Sequence, residues 1–334
     1  MKQSRRCGQV LLVVIVCGVI VCGLTALAAD KEHGTLVRDA ALYVTPGSTS
    51  EKIGRVERGR DLIVLEHIEL AATAAEQTSV AEKAPWFKVF VTLPQGTAVR
   101  EMTGWLPALG VVTFSTPNGD RIIYGEAVDS ENQAEQRGGR KGAADDAMRL
   151  YYRVGDLFPN SPLAAEATWR SADIRWQLEK NQIRSRPSQR DLSPDARGHV
   201  DEQWMKEIIK RYPHTRWADL AAYDMIDNRL CGEWKGLAAC PEKESDIYER
   251  YAREHAQSPK AAEALYYAAW RQAVLADIYR INSDGTRSAL ARKKARALAQ
   301  EIASMPTDGD WQPRAAVLIF KLERNIPLYG PGPE

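Results

Sequence analysis

Cysteine and histidine are scarce, with five of each in 334 residues. The histidines (His33, His67, His199, His214, His255) fall at no spacing that would gather a metal ion. No Gly-x-Ser-x-Gly elbow, phosphate-binding glycine loop or His-Glu-x-x-His helix is present. The patterns that announce a serine hydrolase, a nucleotide-binding loop or a metalloprotease are therefore missing, and nothing calls for a cofactor or a metal. A surplus of one charge is missing too: 45 Lys+Arg face 44 Asp+Glu. That balance argues against a general nucleic-acid binder, whose basic excess is its electrostatic footprint. A mean hydropathy of −0.39 excludes a polytopic membrane protein.

One apolar run stands out, at residues 10–29, behind a basic start of Lys2, Arg5 and Arg6. A charged segment, an apolar stretch and small residues at Ala26 and Ala28 have the form of a secretory signal cut before Ala29. About 20 apolar residues also suffice to cross a bilayer, so a retained anchor is the second reading, and the only membrane contact expected. A lipid-attachment site is the third, at Cys17 or Cys22, although Val16 and Val21 stand where such sites carry a small residue. Each reading exports the bulk of the chain to the periplasm or cell envelope. Cys7, Cys17 and Cys22 belong to this leader, which leaves Cys231 and Cys240 as an even pair. In an exported protein such a pair reads as a disulfide.

Residues 30–114 read as short strands with turn punctuation. Leu36, Ala40, Leu42 and Val44 lie at even spacing before the turn Pro46-Gly47-Ser48. Ile53, Val56 and the run Leu62-Ile63-Val64-Leu65 follow, then a small polar insertion at 71–84. Trp86-Phe87-Lys88-Val89-Phe90-Val91 and Gly104-Trp105-Leu106-Pro107 complete about five strands, a compact β-barrel. The order ALYVTPGSTSEKIGRVERGRDLIVLE, PWFKVFV, GWLPALGVV resembles the bacterial SH3 domain. That resemblance implies a small SH3-like barrel that binds peptidoglycan or peptide segments, or serves as a spacer. Tyr43-Val44-Thr45 departs from the Asn-x-Arg sequence of many members. Tyr43, Trp86 and Trp105 are the candidates for a ligand groove; filling so small a core is the competing role for the same rings.

Residues 115–144, poor in large apolar side chains after Ile122-Ile123-Tyr124 and containing RGGRKG, read as a flexible linker. Beyond them the period becomes helical. Leu150, Tyr151, Val154 and Phe158 share one face, and the stripe recurs at Met205, Ile208, Ile209 and Tyr212, at Ile247, Tyr248, Tyr251 and His255, and at Leu298, Ile302 and Met305. Each stripe ends in a break and a capping pair: Ser161-Pro162, Thr215-Arg216, Ser258-Pro259, Gln312-Pro313. An alanine-rich start follows at Ala164, Ala218, Ala261 and Ala315, with an aromatic behind it (Trp169, Tyr223, Tyr266, Phe320). Residues 145–327 are thus about four helical hairpins. PNSPLAAEATW and QSPKAAEALYY resemble tetratricopeptide hairpins such as those of the Tol-Pal cell division coordinator and the outer-membrane assembly lipoprotein. The copies are longer than the usual period, with inserts at 181–202 and 231–244, and the strict Trp-x-x-Leu-Gly-x-x-Tyr signature is absent. The arginines of the first insert (Arg184, Arg186, Arg190, Arg197) alternate with Asp191 and Asp195 and read as solvated. Residues 328–334 read as a flexible tail.

Two further residue sets have plain readings. His255 occupies the apolar stripe and is expected to be structural. Asp145-Asp146 opens a helix, where negative charge complements the macrodipole. The fold class expected is therefore multidomain, all-β plus all-α: an SH3-like barrel and a tetratricopeptide-like solenoid. The expected function is a non-enzymatic exported scaffold or adaptor that binds protein partners on the helical repeat. Peptidoglycan or peptide binding by the barrel is the alternative, and an accessory cell-wall hydrolase the enzymatic rival. No nucleic-acid partner is expected.

Overall fold

The computed structural model describes residues 32–69, 85–95, 98–190, 198–231, 234–306 and 309–330. The leader and the insertion at 71–84 lie outside the described residues. Residues from Glu32 onward form a single compact unit.

Seven antiparallel strands make one curved sheet, a half-barrel: β1 (Glu32–Leu36), β2 (Ala40–Tyr43), β3 (Lys52–Val56), β4 (Asp61–Ile68), β5 (Trp86–Gln95), β6 (Ala98–Pro107) and β7 (Val111–Thr113), in the order β3-β2-β6-β5-β4-β1-β7. The period of two sends Leu36, Leu42, Val56, Leu62, Val89, Val91, Met102 and Leu106 to the inside. Along β6, Met102, Gly104 and Leu106 alternate inward. A Cβ on Gly104 would lie 2.7 Å from Leu42 Cγ and 2.8 Å from Tyr43 O, so β2 crosses β6 only because glycine is there.

The linker expectation fails over most of its length. Gly119–Glu135 forms a helix, α1, packed on α2 (Ala143–Leu157). Its buried residues are Gly119, Ile123, Ala127 and Ser130; Ile123 is bulky, but the other three are small and leave little hydrophobic signal. A polar network replaces apolar bulk. Tyr151 donates to Glu131 at 2.6 Å and Tyr124 to Glu166 at 2.7 Å, while Arg170 bonds both carboxylates, at 2.8 and 3.0 Å. Burial and the Glu166 bond push the Tyr124 hydroxyl up to about 12.

The four hairpins are α2 with α3 (Ala164–Ser185), α4 (Gln203–Arg211) with α5 (Arg216–Asp224), α6 (Ala239–Glu254) with α7 (Ala261–Ile281), and α8 (Gly285–Ser304) with α9 (Trp311–Glu323). Each packs on its sequence neighbours. Ala164, Ala218, Ala261 and Ala315 are all at most 5% exposed and let the paired helices approach closely. The caps differ in detail from expectation. Ser161 and Ser258 accept from the N–H two residues on (Leu163 and Lys260, both 3.1 Å), and their helices begin three residues later. Thr215 accepts from Ala218 N. Gln312-Pro313 lies inside the first turn of α9, whose N-cap is Asp310. The inserts are partly helical extension, since α3 runs to Ser185 and α6 starts at Ala239.

The tail is also tied down as far as Gly330. Leu328 is 4% exposed and donates its N–H to Asp277 at 3.0 Å, and Trp270 donates to Gly330 O at 3.1 Å. Cys231 and Cys240 form a disulfide, with Cα atoms 5.9 Å apart. Among the described residues no helix is long and apolar enough to cross a membrane.

Candidate functional site

The half-barrel and the first hairpin meet at the turn between β3 and β4. Gly59 there has φ +75°, and a Cβ on it would sit 2.6 Å from Arg149 Cβ on α2. A left-handed glycine without a side chain is what lets strand turn and helix touch. The turn's carbonyls then accept from two arginines one helical turn apart: Arg149 Nε reaches Arg58 O at 3.1 Å and Arg153 Nε reaches Gly59 O at 3.3 Å. Val37 and Val112 of the sheet share a core with Ile123, Leu150, Tyr151 and Val154, so the two layers are continuous inside.

A cleft of about 200 Å³ opens at this junction, walled by Gly59 and Arg60 from the sheet, by Met148, Tyr152 and Arg153 from α2, by Arg175 from α3 and by Trp204 from α4. Four arginines line it, and three are neutralised. Arg60 pairs with Glu57 at 2.7 Å, Arg149 pairs with Asp146, and Arg153 pairs with Asp156 at 2.5 Å. Arg175 differs. Its exposed guanidinium lies 4.7 Å from the centre of the Trp204 ring, and it has no ion pair among the described residues. Tyr152, 37% exposed, meets Trp204 edge-on at 5.8 Å. A guanidinium on an indole face is held in place while its N–H edge stays open to an acceptor.

A wider groove of about 690 Å³ shares Met148 and Arg175 with the cleft and runs past Leu178 and Ile183 to Arg186 and His199. Asp145, Glu179 and Asp201 line it as well. Two of these acids are occupied: Glu179 accepts from Asp201 N, and Asp201 from Gln203 N. Arg175 thus stands at the saddle between an aromatic cleft and an elongated, mixed-charge groove.

The expected residues fall elsewhere. Trp86 is 1% exposed, in edge contact with Tyr43 at 5.4 Å, and Tyr43 stands opposite Trp105 in the β2–β6 pairing. Tyr43 and Trp105 are half-buried, with the Lys52 and Lys88 ammonium groups about 6 Å from their rings. Asp146 does more than complement a dipole: it is 5% exposed and bonds both Arg140 and Arg149. His255 stacks on Tyr251 at 4.7 Å and bonds Asp219 of the preceding hairpin at 2.7 Å. Of the insert arginines, Arg186 lines the groove, while Arg197 lies outside the described residues.

Two features no spacing could announce complete the inventory. Glu244 (1% exposed) and Arg271 (3%) form a buried ion pair at 2.8 Å. Glu244 also accepts from Cys231 N at 2.8 Å, and Arg271 is ringed by Trp234, Tyr248 and Tyr267. On the seam between α3 and α5, burial and the charge of Asp173 push the Asp224 carboxyl up to about 7; it accepts from Trp169 Nε1 at 3.3 Å. Among the described residues no cluster of His, Cys, Asp or Glu could hold a metal ion. No protein-family model matches the chain, and no curated protein does either.

Proposed function

We propose that this protein is a non-catalytic scaffold of the bacterial envelope, in which an SH3-like half-barrel and a tetratricopeptide-like solenoid work as one binding surface. The cleft at their junction holds an acidic segment of a protein partner. The observation that carries this reading is Arg175: pinned on Trp204, open to solvent, and without a carboxylate partner among the described residues, in an arginine-lined cleft whose other members are all paired. Export rests on the leader pattern and the tetratricopeptide kinship on the Ser-Pro-x-Ala-Ala phrases. The disulfide supports an oxidising compartment.

The test is site-directed photo-crosslinking from position 178, on the groove floor, in intact envelopes, with the crosslinked residues mapped by mass spectrometry. The reading expects one protein partner, attached through a segment rich in Asp or Glu, and loss of that adduct in Arg175→Glu. Adducts scattered over unrelated proteins, or one that survives Arg175→Glu, would remove the cleft from the account.

The half-exposed pair Tyr43 and Trp105, each beside a lysine, favours cell-wall binding by the sheet as a second reading. Co-sedimentation of the full chain with purified sacculi, compared with Trp105→Ala, tests it. Wild-type protein left wholly in the supernatant would dismiss it.

A further inference from the structure

The four hairpins can be aligned on their first buried alanine, at 164, 218, 261 and 315. Three residues on, Ala167, Ala221, Ala264 and Leu318 are also buried, all at 1% exposure or less. Five residues on stands an aromatic in every copy: Trp169, Tyr223, Tyr266 and Phe320. In the first three copies the following hairpin covers that ring. Trp169 stacks on Trp217 of α5 at 5.3 Å. Tyr223 meets Tyr251 of α6 at 5.1 Å and donates to Glu263 of α7 at 3.0 Å. Tyr266 meets Trp311 of α9 at 5.4 Å. In the fourth copy no aromatic ring covers the position among the described residues. Phe320 is 53% exposed and Val317, one turn before it, 54%, with Pro313 and Ala316 exposed on the same side of the helix. The described residues after α9 turn to α7 instead, where Leu328 and Gly330 are bonded.

A solenoid's terminal repeat ordinarily presents a polar outer face, since stacking has ended there. Here the stacking stripe continues past the last described hairpin. We infer that the outer face of α9 is a docking surface for an amphipathic, acidic helix of a partner protein. The helix is read from the three internal junctions, where a helix of the next hairpin supplies the covering ring. The acidity is read from the flanks of the stripe. Arg314 lies over the Trp311 ring at 4.9 Å and Arg324 over the Phe320 ring at 5.7 Å, and neither has an ion pair among the described residues. Two internal junctions already cross an acid to the preceding aromatic, Asp224 to Trp169 and Glu263 to Tyr223. The same cations at the ends of an isologous contact would face each other, which weighs against a second copy. This surface is separate from the Arg175 cleft, so either can fail while the other stands.

The probe is a lactam-stapled peptide copying Ala239–Glu254, the helix that covers Tyr223, with Cys240→Ser and a fluorescent label. Added to the full chain, it should raise anisotropy with a dissociation constant below about 1 mM. Phe320→Asp should weaken it at least about tenfold, the loss expected when an aromatic is no longer buried, while Phe320→Tyr binds as wild type. Arg314→Glu with Arg324→Glu should weaken it too and remove most of its salt dependence. The thermal melt of Phe320→Asp should match wild type, because the ring is already half in solvent. Absence of binding at that concentration, or equal affinity for Phe320→Asp, overturns the inference. Sedimentation that shows a wild-type dimer dissolved by Phe320→Asp assigns the face to a second copy and overturns it equally.

Discussion

Of the arginines that sit against indole rings in this molecule, Arg271 and Arg175 have opposite fates. In the third hairpin, Arg271 is 3% exposed, ringed by Trp234, Tyr248 and Tyr267, bonded to Glu244 and to Tyr267 O. At the sheet–helix junction, Arg175 is exposed on Trp204, with no ion pair among the described residues. The stacking is alike; the carboxylate is what differs. A buried guanidinium must be neutralised or the fold loses several kcal/mol, whereas an exposed one costs little and remains available. The first is part of the fold's interior, the second part of its surface.

The contrast sets the scale of what substitutions should do. Arg271→Ala leaves Glu244 charged and buried, and should lower unfolding free energy by about 3–5 kcal/mol in denaturant titration. A loss below 1 kcal/mol would mean the pair is not the tie it looks to be. Replacing both Cys231 and Cys240 by serine frees the loop whose backbone Cys231 N bonds Glu244, and should cost about 2–3 kcal/mol. Arg175→Ala should leave the melt where it was, within about 0.5 kcal/mol. An Arg175→Ala variant as unstable as Arg271→Ala would erase the distinction.

A pH-dependent effect sharpens the comparison from the acidic side. Asp224 holds its proton up to about pH 7 in the folded chain, and an unfolded aspartate releases it near 3.8. The folded state therefore binds the extra proton between these values, and the stability that brings is full below about pH 4 and fades as pH rises through 7. Asp224→Asn should melt about 2–4 °C higher than wild type at pH 8, with the gap closing near pH 4. Equal melting temperatures at pH 8 would show that the carboxylate ionises there without cost.

The hairpins could be read in advance because their signals are local: a capping Ser or Thr, an alanine start, an aromatic five residues on. The half-barrel was readable from its alternating runs, although seven strands stand where five were expected. α1 escaped because Gly119, Ala127 and Ser130 leave Ile123 as its single bulky buried residue, and its ties are tyrosine–carboxylate–arginine bonds to residues up to 42 positions away. The cleft escaped for a related reason. Arg175, Trp204 and Gly59 come from three elements, and no spacing along the chain connects them. The one local hint was Tyr151-Tyr152, where a helical turn can bury a single ring of the pair: Tyr151 is buried, and Tyr152 faces the cleft.

The most direct test of the account is a titration of the full chain, watched through the Arg175 side-chain and Trp204 indole NMR signals. One arm adds acetyl-Asp-Leu-Asp-Leu-amide, the other its Asn-for-Asp counterpart. An acceptor-seeking guanidinium on an indole predicts saturable shifts of both signals with the acidic peptide, weakened by salt and lost in Arg175→Gln, and none with the neutral one. Identical responses to the two peptides, or silence to both, would contradict it.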